Sequence, residues 1–453
     1  MKSKIINNFK FCVLLIYCIL LKLYGNAIDG SFNINGDFNI IELFLTHQKG
    51  VDKTIGKAIY KNDHYDLQKK STQLSLSRQN IKNISASITK PQNQTFEKNE
   101  LFLNYQFCEV KQCFNDRTFT FRNVSQNVES LDISYNQIKF LSNRTFFGLQ
   151  DLKELNVASN KLVYIESNAF EGLANLKKLD LSQNRELSNI DSNAFFGLDQ
   201  LCFLNIANSK LNIITERTLK YLKNVEKLEL SVSQYLKEIK DYGFYGLPNL
   251  ISLDLSFALQ LSIIGERSFF GLSNLKYLRL EQSSSLNLVS IKKILKYLNQ
   301  LESLEMIMLG LENLDDDLFL NLGKLNVLHL NNNKLSNVKN AFKGLNNLDE
   351  LNLESNNFGI LNAYSFFSLT RSKLKKLRLN TCKIEVIETG AFYGLDNLRE
   401  LSLTSNLLAS IEPFIFVGMP NLTTLTLSAL IDLNQSETNG FYGLENLKHL
   451  DLF

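Results

Sequence analysis

The sequence of 453 residues has no tryptophan, only four prolines and only four histidines. Its 49 basic and 46 acidic residues are interleaved, so the net charge of +3 provides no single-sign field to attract nucleic acid. No two histidines stand at a metal-ligand spacing, and no cysteine cluster completes a zinc site. A glycine-rich phosphate loop and a nucleophile elbow are also lacking. We therefore expect no enzyme activity, no cofactor, no small-molecule substrate and no nucleic-acid partner.

Long apolar runs are lacking except near the start, where "FCVLLIYCILL" follows Lys2, Lys4 and Lys10. Small residues, Gly25 and Ala27, then stand where a signal peptidase would cut. The run is about half of the ~20 residues that span a bilayer. Residues 1–27 are predicted to be a cleaved signal peptide, with a signal anchor as the alternative. We expect the chain to enter the secretory pathway and to act outside the cell or at its surface.

Six cysteines are present, and two of them lie in the signal segment. Cys108, Cys113, Cys202 and Cys382 remain in an oxidising compartment. The sequons of a secreted chain are candidate glycan sites at exposed positions. They stand at Asn83, Asn93, Asn123, Asn143, Asn421 and Asn434.

One pattern, LxxLxLxxNxLxxLxxxxFxxL, recurs from Val128 to the end of the chain. "LKELNVASNKLVYIESNAFEGL", which begins at Leu152, is a clean copy. There are fourteen starts and the last copy is truncated: Val128, Leu152, Leu176, Leu201, Val225, Leu250, Leu275, Leu301, Leu325, Leu348, Leu374, Leu398, Leu422 and Leu447. Alternating leucines point to one face of a short strand, and only stacked copies can bury them in a continuous core.

These copies resemble the leucine-rich repeat family, in its extracellular class with a phenylalanine spine, over residues 128–453. The resemblance implies an α/β-type repeat solenoid. This is a horseshoe with a concave parallel sheet and a convex side of irregular, 3-10 or short helical segments. Fourteen strands ~4.8 Å apart give an inner face of roughly 60–65 Å, which suits a macromolecule rather than a small substrate.

Two columns of the pattern predict internal structure. A phenylalanine column, broken at Leu219 and near Ile294 and Leu295, is expected to pack in the core. An asparagine column is expected to bond the backbones of adjacent turns. That column is interrupted over five repeats by Ser209, Ser233, Ala258, Ser283 and Leu309. Cys382 also stands in it and is expected to be buried. It lies on the order of 34 Å from Cys202, too far for a disulfide.

The ends of the repeat array depart from the family pattern. Members usually close the first repeat with a four-cysteine cap, whereas residues 108–127 hold two cysteines, for which a Cys108–Cys113 disulfide is expected. Residues 28–107 have no assigned fold; "STQLSLSRQNIKNISASITK" suggests a strand or two, in a small β-rich module or a partly disordered leader. The chain stops inside a repeat, which predicts a partial chain, with membrane attachment a possibility beyond Phe453, or an end covered by another molecule.

The predicted contact surface is the concave side of repeats six to eleven. Aromatic and arginine residues there are the usual anchors of protein interfaces. We select Tyr277, Arg279, Ile307, Met308, Val327, His329, Lys376 and Arg378. An inert concave face, with contacts on a flank or the convex side, is the alternative. Ile307 and Met308 either join the contact patch or are covered by a neighbouring loop.

The resemblance implies non-catalytic recognition of an extracellular protein or cell-surface partner. Toll-type receptor ectodomains, chaoptin-like adhesion proteins and acid-labile-subunit-type carriers share the architecture. We expect a receptor or adhesion ectodomain. The alternative is a secreted matrix or carrier protein, and a remote one is an enzyme whose catalytic domain lies outside the repeats.

Overall fold

The computed structural model describes residues 73–75, 128–428 and 439–452. The chain divides into two compact units, Met1–Lys69 and Lys70–Phe453, and all the described residues belong to the second. The signal segment, Cys108, Cys113 and the predicted cap therefore lie outside the described residues.

The repeats form a parallel β-solenoid, the predicted horseshoe, whose long sheet has fifteen strands among the described residues. Each strand pairs in register with the next along the chain. In order they are β1 Gln73–Ser75, β2 Ser130–Asp132, β3 Glu154–Asn156, β4 Lys178–Asp180, β5 Phe203–Asn205, β6 Lys227–Glu229, β7 Ser252–Asp254, β8 Tyr277–Arg279, β9 Ser303–Glu305, β10 Val327–His329, β11 Glu350–Asn352, β12 Lys376–Arg378, β13 Glu400–Ser402, β14 Thr424–Leu427 and β15 His449–Leu452.

The first strand of this sheet comes from outside the repeat array. Gln73–Ser75 pairs in parallel with Ser130–Asp132, so a segment more than fifty residues upstream extends the sheet. The alternation around residues 71–90 predicted a strand, and one forms there. Its place in the sheet was not predictable, because no repeat phase ties it to Val128.

The outer side carries short two-residue strands and little helix. The outer strands are Phe140–Leu141, Tyr164–Ile165, Asn189–Ile190, Ile213–Ile214, Glu238–Ile239, Ile263–Ile264, Ile360–Leu361 and Val386–Ile387. They pair in three small sheets, which the main sheet faces across the core. A 3-10 turn spans Phe367–Leu369. This matches the mixed outer side that the resemblance implies.

One α-helix, Leu288–Leu295, stands among the described residues where the seventh repeat loses its phenylalanine. The Asn287 side chain caps it by accepting a hydrogen bond from the Ser290 N–H at 2.9 Å. Apolar residues spaced three and four apart put Ile291, Ile294 and Leu295 into the core. The helix thus fills the space that a phenylalanine ring occupies in other repeats.

The phenylalanine column forms the predicted spine. Phe146 and Phe170 stack with ring centroids 5.7 Å apart, and Phe195 continues the stack at 5.8 Å. The members from Phe146 to Phe416 are 0–1% exposed: Phe146, Phe170, Phe195, Phe244, Phe269, Phe319, Phe342, Phe366, Phe392 and Phe416. Burying each ring contributes about 2–3 kcal/mol, which one repeat alone could not obtain.

The asparagine column forms the predicted ladder between turns. Asn184 donates through Nδ2 to the carbonyls of Val157 and Leu181, and its Oδ1 accepts from the Leu162 N–H. Asn160, Asn333, Asn356 and Asn406 repeat this arrangement. These bonds satisfy backbone groups that the sheet and loops leave unpaired in the interior.

A second row of asparagines, which was not predicted, fastens the flank of the solenoid. Each residue stands just before the leucine, or in one case Val225, that starts a repeat, and donates through Nδ2 to a carbonyl of the preceding repeat at 2.6–3.0 Å. Its members are Asn175, Asn224, Asn249, Asn274, Asn347, Asn397, Asn421 and Asn446. These eight asparagines therefore have a structural role.

Candidate functional site

The register of the main sheet aligns two rows of side chains on its inner face. One row precedes the buried central leucine of each strand and contains Tyr277, Val327 and Lys376. The other follows that leucine and contains Arg279, His329 and Arg378. Six of the eight selected residues therefore share one surface.

The acidic and amide residues of the second row have a local structural role. The Asp132 carboxylate accepts a hydrogen bond from the Ser134 N–H at 2.9 Å, which turns the chain out of the strand. The same turn recurs at five further positions with distances of 2.9–3.0 Å: Asn156, Asp180, Asn205, Asp254 and Asn352. The acidic and amide residues at these six positions thus have a role in folding, which does not by itself indicate a binding site.

Arg279 and Arg378 depart from this structural role, because a guanidinium has no acceptor for the turn. Arg279 is exposed and lies between two carboxylates, with nitrogen–oxygen distances of 3.3 Å to Glu305 and 3.9 Å to Asp254. Arg378 pairs with Glu350 on the neighbouring strand. Exposed pairs of this kind contribute little to stability. Their presence in the middle repeats is therefore not accounted for by the fold.

Tyr277 stands out from a flat part of the sheet. Its lateral neighbours on the two adjoining strands are Ser252 and Ser303, and its side chain is 45% exposed. Val327 follows in the same row and is half-buried. A large aromatic ring between two small polar residues can be covered by a partner at little conformational cost.

His329 and Lys376 complete the middle of the face. The Nε2 atom of half-buried His329 lies 3.7 Å from the Glu350 carboxylate and has no hydrogen-bond partner within the described chain. Lys376 Nζ lies 3.2 Å from the Glu400 carboxylate. Charges of both signs therefore alternate across this surface.

Ile307 and Met308 lie beyond the end of their strand, so the structure does not place them in the two rows. Ile307 is half-buried. Met308 is 40% exposed and has a φ of +55°, as does the equivalent residue of nearly every repeat. The described chain therefore does not cover Met308, and its unusual backbone belongs to the fold.

An aromatic and cationic group also occupies the face nearer its first repeats. Half-buried Phe203 lies between the ammonium groups of Lys178 and Lys227, 5.9 and 5.3 Å from its ring centroid. These cation–π contacts pair the Phe203 ring with side chains of the same sheet. The group is a natural control for the exposed pair of Tyr277 and Arg279.

The remaining predicted positions are placed only in part. Asn143 and Asn421 are exposed, and Asn421 also belongs to the flank row through its bond to the Asp396 carbonyl at 2.8 Å. Asn83, Asn93, Asn123 and Asn434 lie outside the described residues. Cys202 and Cys382 are free thiols, as expected, and Cys382 is fully buried.

The carboxylates of Asp315–Asp317 form ion pairs with lysines. Lys292 Nζ lies 2.8 Å from Asp315 and 2.9 Å from Asp317, and Lys343 lies 3.0 Å from Asp316. Within the described ranges, no group of three or more histidine, cysteine or acidic side chains could hold a metal ion. No helix of that part is long and apolar enough to cross a membrane.

Family models match most of the repeat array. A leucine-rich repeat model matches residues 126–185, 175–234 and 372–429, and a BspA-type leucine-rich repeat region matches residues 237–371. The chain is a leucine-rich repeat protein. Families of these repeats are typically non-catalytic, and their solenoids generally bind proteins through extended surfaces. No curated protein matches this leucine-rich repeat protein significantly.

Solved structures share the fold at low identity. A chain of the Toll–Spatzle complex of Drosophila is 18% identical with a TM-score of 0.57, and the match covers 72% of this leucine-rich repeat protein and 46% of that chain. A leucine-rich repeat protein of Leptospira interrogans is 22% identical with a TM-score of 0.51, covering 74% and 88% respectively. This chain thus spans about half the length of the Drosophila one.

Proposed function

We propose that this leucine-rich repeat protein is a non-catalytic receptor or adhesion ectodomain that binds an extracellular protein on the inner face of repeats six to eleven. The observation that carries the proposal is the change in the row after the central leucine. Six of its members, from Asp132 to Asn352, serve turns, whereas Arg279 and Arg378 cannot serve them and project from the sheet. Side chains that make no bond needed by the turn are available to contact a partner.

The exposed aromatic ring adds to this argument. Tyr277 directly precedes the leucine that Arg279 follows, so both side chains leave the same strand on the same face. Tyrosine and arginine are the residues most enriched among the energetic anchors of protein interfaces. The alternating charges of Glu305, Glu350 and Lys376 would form the polar rim.

The matched comparison uses two pairs from one sheet. The intact protein is screened against the secreted and cell-surface proteins of its own organism, each displayed singly. For any ligand found, the Tyr277→Ala and Arg279→Ala double variant is compared with a Phe203→Ala and Lys227→Ala control. We expect the first pair to weaken binding by roughly tenfold or more and the control to leave it within about twofold.

A ligand that binds both double variants as tightly as the wild type would place the contact elsewhere. Loss of binding in the control alone would move the site to the early repeats. A secreted matrix or carrier protein is the second candidate function, and it uses the same surface. Reading the transcript through its stop codon decides between them, since only the receptor or adhesion protein requires a membrane span.

A further inference from the structure

The outer side of repeats four to six carries two adjacent rows of opposite charge. The outer strands Ile213–Ile214, Glu238–Ile239 and Ile263–Ile264 pair in register, so the residues that follow them are aligned across the three repeats. The first row consists of Glu216, Asp241 and Glu266, and the second of Arg217, Tyr242 and Arg267. We call these six residues the paired rows.

The charged groups of the paired rows face solvent. The side chains of Glu216 and Arg217 are 61% and 75% exposed and lie 4.0 Å apart. Glu266 is 61% exposed and lies 3.0 Å from Lys293. Arg267 donates to the Tyr242 hydroxyl at 2.7 Å, which fixes its guanidinium at the surface. The charges are thus held in place and remain accessible.

An aromatic strip borders the paired rows. Tyr245 and Phe270 are 59% and 43% exposed and stack with centroids 6.3 Å apart. Tyr242 meets the edge of Phe270 at 6.0 Å, and Tyr297 continues the strip at 5.6 Å. Beside the strip lies an open recess of about 820 Å³, lined in part by Glu216, Arg217 and Tyr242. Contiguous exposed aromatic surface of this kind is unusual unless something covers it.

We propose that this surface binds a second copy of the same chain. Rotation about a two-fold axis that runs parallel to the rows and midway between them places the acidic row of each copy opposite the arginine row of the other. The aromatic strips then lie at the margins of the charged contact. A two-fold axis perpendicular to the rows would oppose like charges. The charge pattern therefore selects a dimer in which the two solenoids run parallel, back to back.

One further observation argues against a membrane as the occupant, and another leaves the surface accessible to a second copy. An anionic membrane would be attracted by a cationic surface, whereas acidic side chains make up half of the paired rows. No sequon lies between Asn143 and Asn421, so a secreted chain would carry no N-glycan over these repeats. The inner face used in the proposed function remains open in this dimer. Failure of one proposal would therefore leave the other unaffected.

The decisive experiment mixes two charge variants of the whole protein. Glu216→Arg with Glu266→Arg makes the rows predominantly basic, with Asp241 as their one remaining acidic residue, and Arg217→Glu with Arg267→Glu leaves no basic residue in them. We expect sedimentation velocity to show a wild-type dimer, two monomeric variants and a heterodimer when the variants are combined. Wild type that stays monomeric at every concentration, or variants that fail to associate on mixing, would overturn the proposal.

A second pair of variants tests the aromatic strip against a matched control. Tyr245→Ser with Phe270→Ser should raise the dimer dissociation constant by roughly tenfold or more. Leu320→Ser with Phe367→Ser removes similarly exposed apolar groups, 55% and 57% accessible, from later repeats and should leave it unchanged. Circular dichroism melts verify that each variant is folded. A dimer weakened by the control pair and not by the strip pair would contradict the assignment.

Discussion

The Oδ1 atom of Asn333 accepts a hydrogen bond from the Leu309 N–H at 3.0 Å. Leu309 is the residue of the preceding repeat that stands in the asparagine column without an amide. Asn333 also accepts from the Leu311 N–H at 3.1 Å and donates to the Met306 carbonyl at 2.8 Å. The Asn333 amide thus pairs backbone groups of the preceding repeat, which has no amide side chain of its own at this position.

Replacing the Asn333 amide should destabilise the turn of the preceding repeat around Leu309 and Leu311. Asn333→Ala leaves two buried N–H groups and at least one carbonyl unpaired, which costs about 3 kcal/mol of unfolding free energy. Urea denaturation measures the loss, and hydrogen exchange should rise at Leu309 and Leu311. Lys334→Ala, at an exposed neighbouring position, is the control. Unchanged protection at both amides would show that the bonds seen here do not hold the turn.

Replacing Val232 with a residue that tolerates left-handed backbone should stabilise the fifth repeat. Val232 has a φ of +59°, a conformation that is costly for a β-branched residue and easy for asparagine or glycine. We expect Val232→Asn to raise the unfolding free energy by about 1 kcal/mol, measured by thermal melting. Val163→Asn, at a half-buried valine that lies outside the left-handed positions, should not stabilise. Equal effects at the two valines would count against a backbone cause.

The two described thiols should differ sharply in reactivity. Burial raises the pKa of Cys382 to about 11, and its Sγ lies 3.2 Å from the Leu353 carbonyl, to which it donates. Cys202 is partly exposed. Because the thiolate is the reactive form, a maleimide at neutral pH should label Cys202 in the native protein and Cys382 only after unfolding. Peptide mass spectrometry reads both sites, and native labelling of Cys382 would contradict its burial.

The pair Tyr164 and Asp191 should make stability depend on acid pH. The Tyr164 hydroxyl donates to the Asp191 carboxylate at 2.9 Å and holds the pKa of that carboxyl below its usual value. A lowered pKa favours the native state above the unfolded pKa of ~3.9, and this contribution is lost as pH falls through the native pKa. Tyr164→Phe should therefore destabilise at pH ~7, with the deficit shrinking near pH ~3. A deficit that is independent of pH would implicate packing instead.

The repeat phase was enough to predict the phenylalanine spine and the inner face, because each follows from which side of a short strand a residue faces, and the family resemblance implied the fold. Cys382 and Leu309 were likewise placed correctly by phase alone. Hydrogen bonds within turns and between neighbouring repeats were harder to predict. The turn made by Asp132 and the bond from Asn421 to the preceding repeat depend on backbone geometry that the pattern of apolar residues does not encode.

The composition of the inner face was predictable from the sequence, whereas the local roles of its residues were not. Sequence placed Tyr277 and Arg279 together, and could not tell that the neighbouring carboxylate of Asp254 was already engaged in a turn. It also gave equal weight to Met308, whose exposure accompanies a backbone conformation shared by other repeats. The aromatic strip of Tyr245 and Phe270 was missed, because its members stand at unremarkable outer positions and meet only when repeats are stacked.

The interrupted asparagine column leaves the central repeats with fewer side-chain bonds between turns. Between Asn184 and Asn333 the column holds residues that lack an amide, and the hydroxyls of Ser209 and Ser233 are buried without a partner in the described chain. Those repeats keep their strand pairing and lose the amide fastening. We expect local opening to begin in these central repeats, except where the Ser283 hydroxyl accepts from the Ala258 N–H and donates to the Leu255 carbonyl.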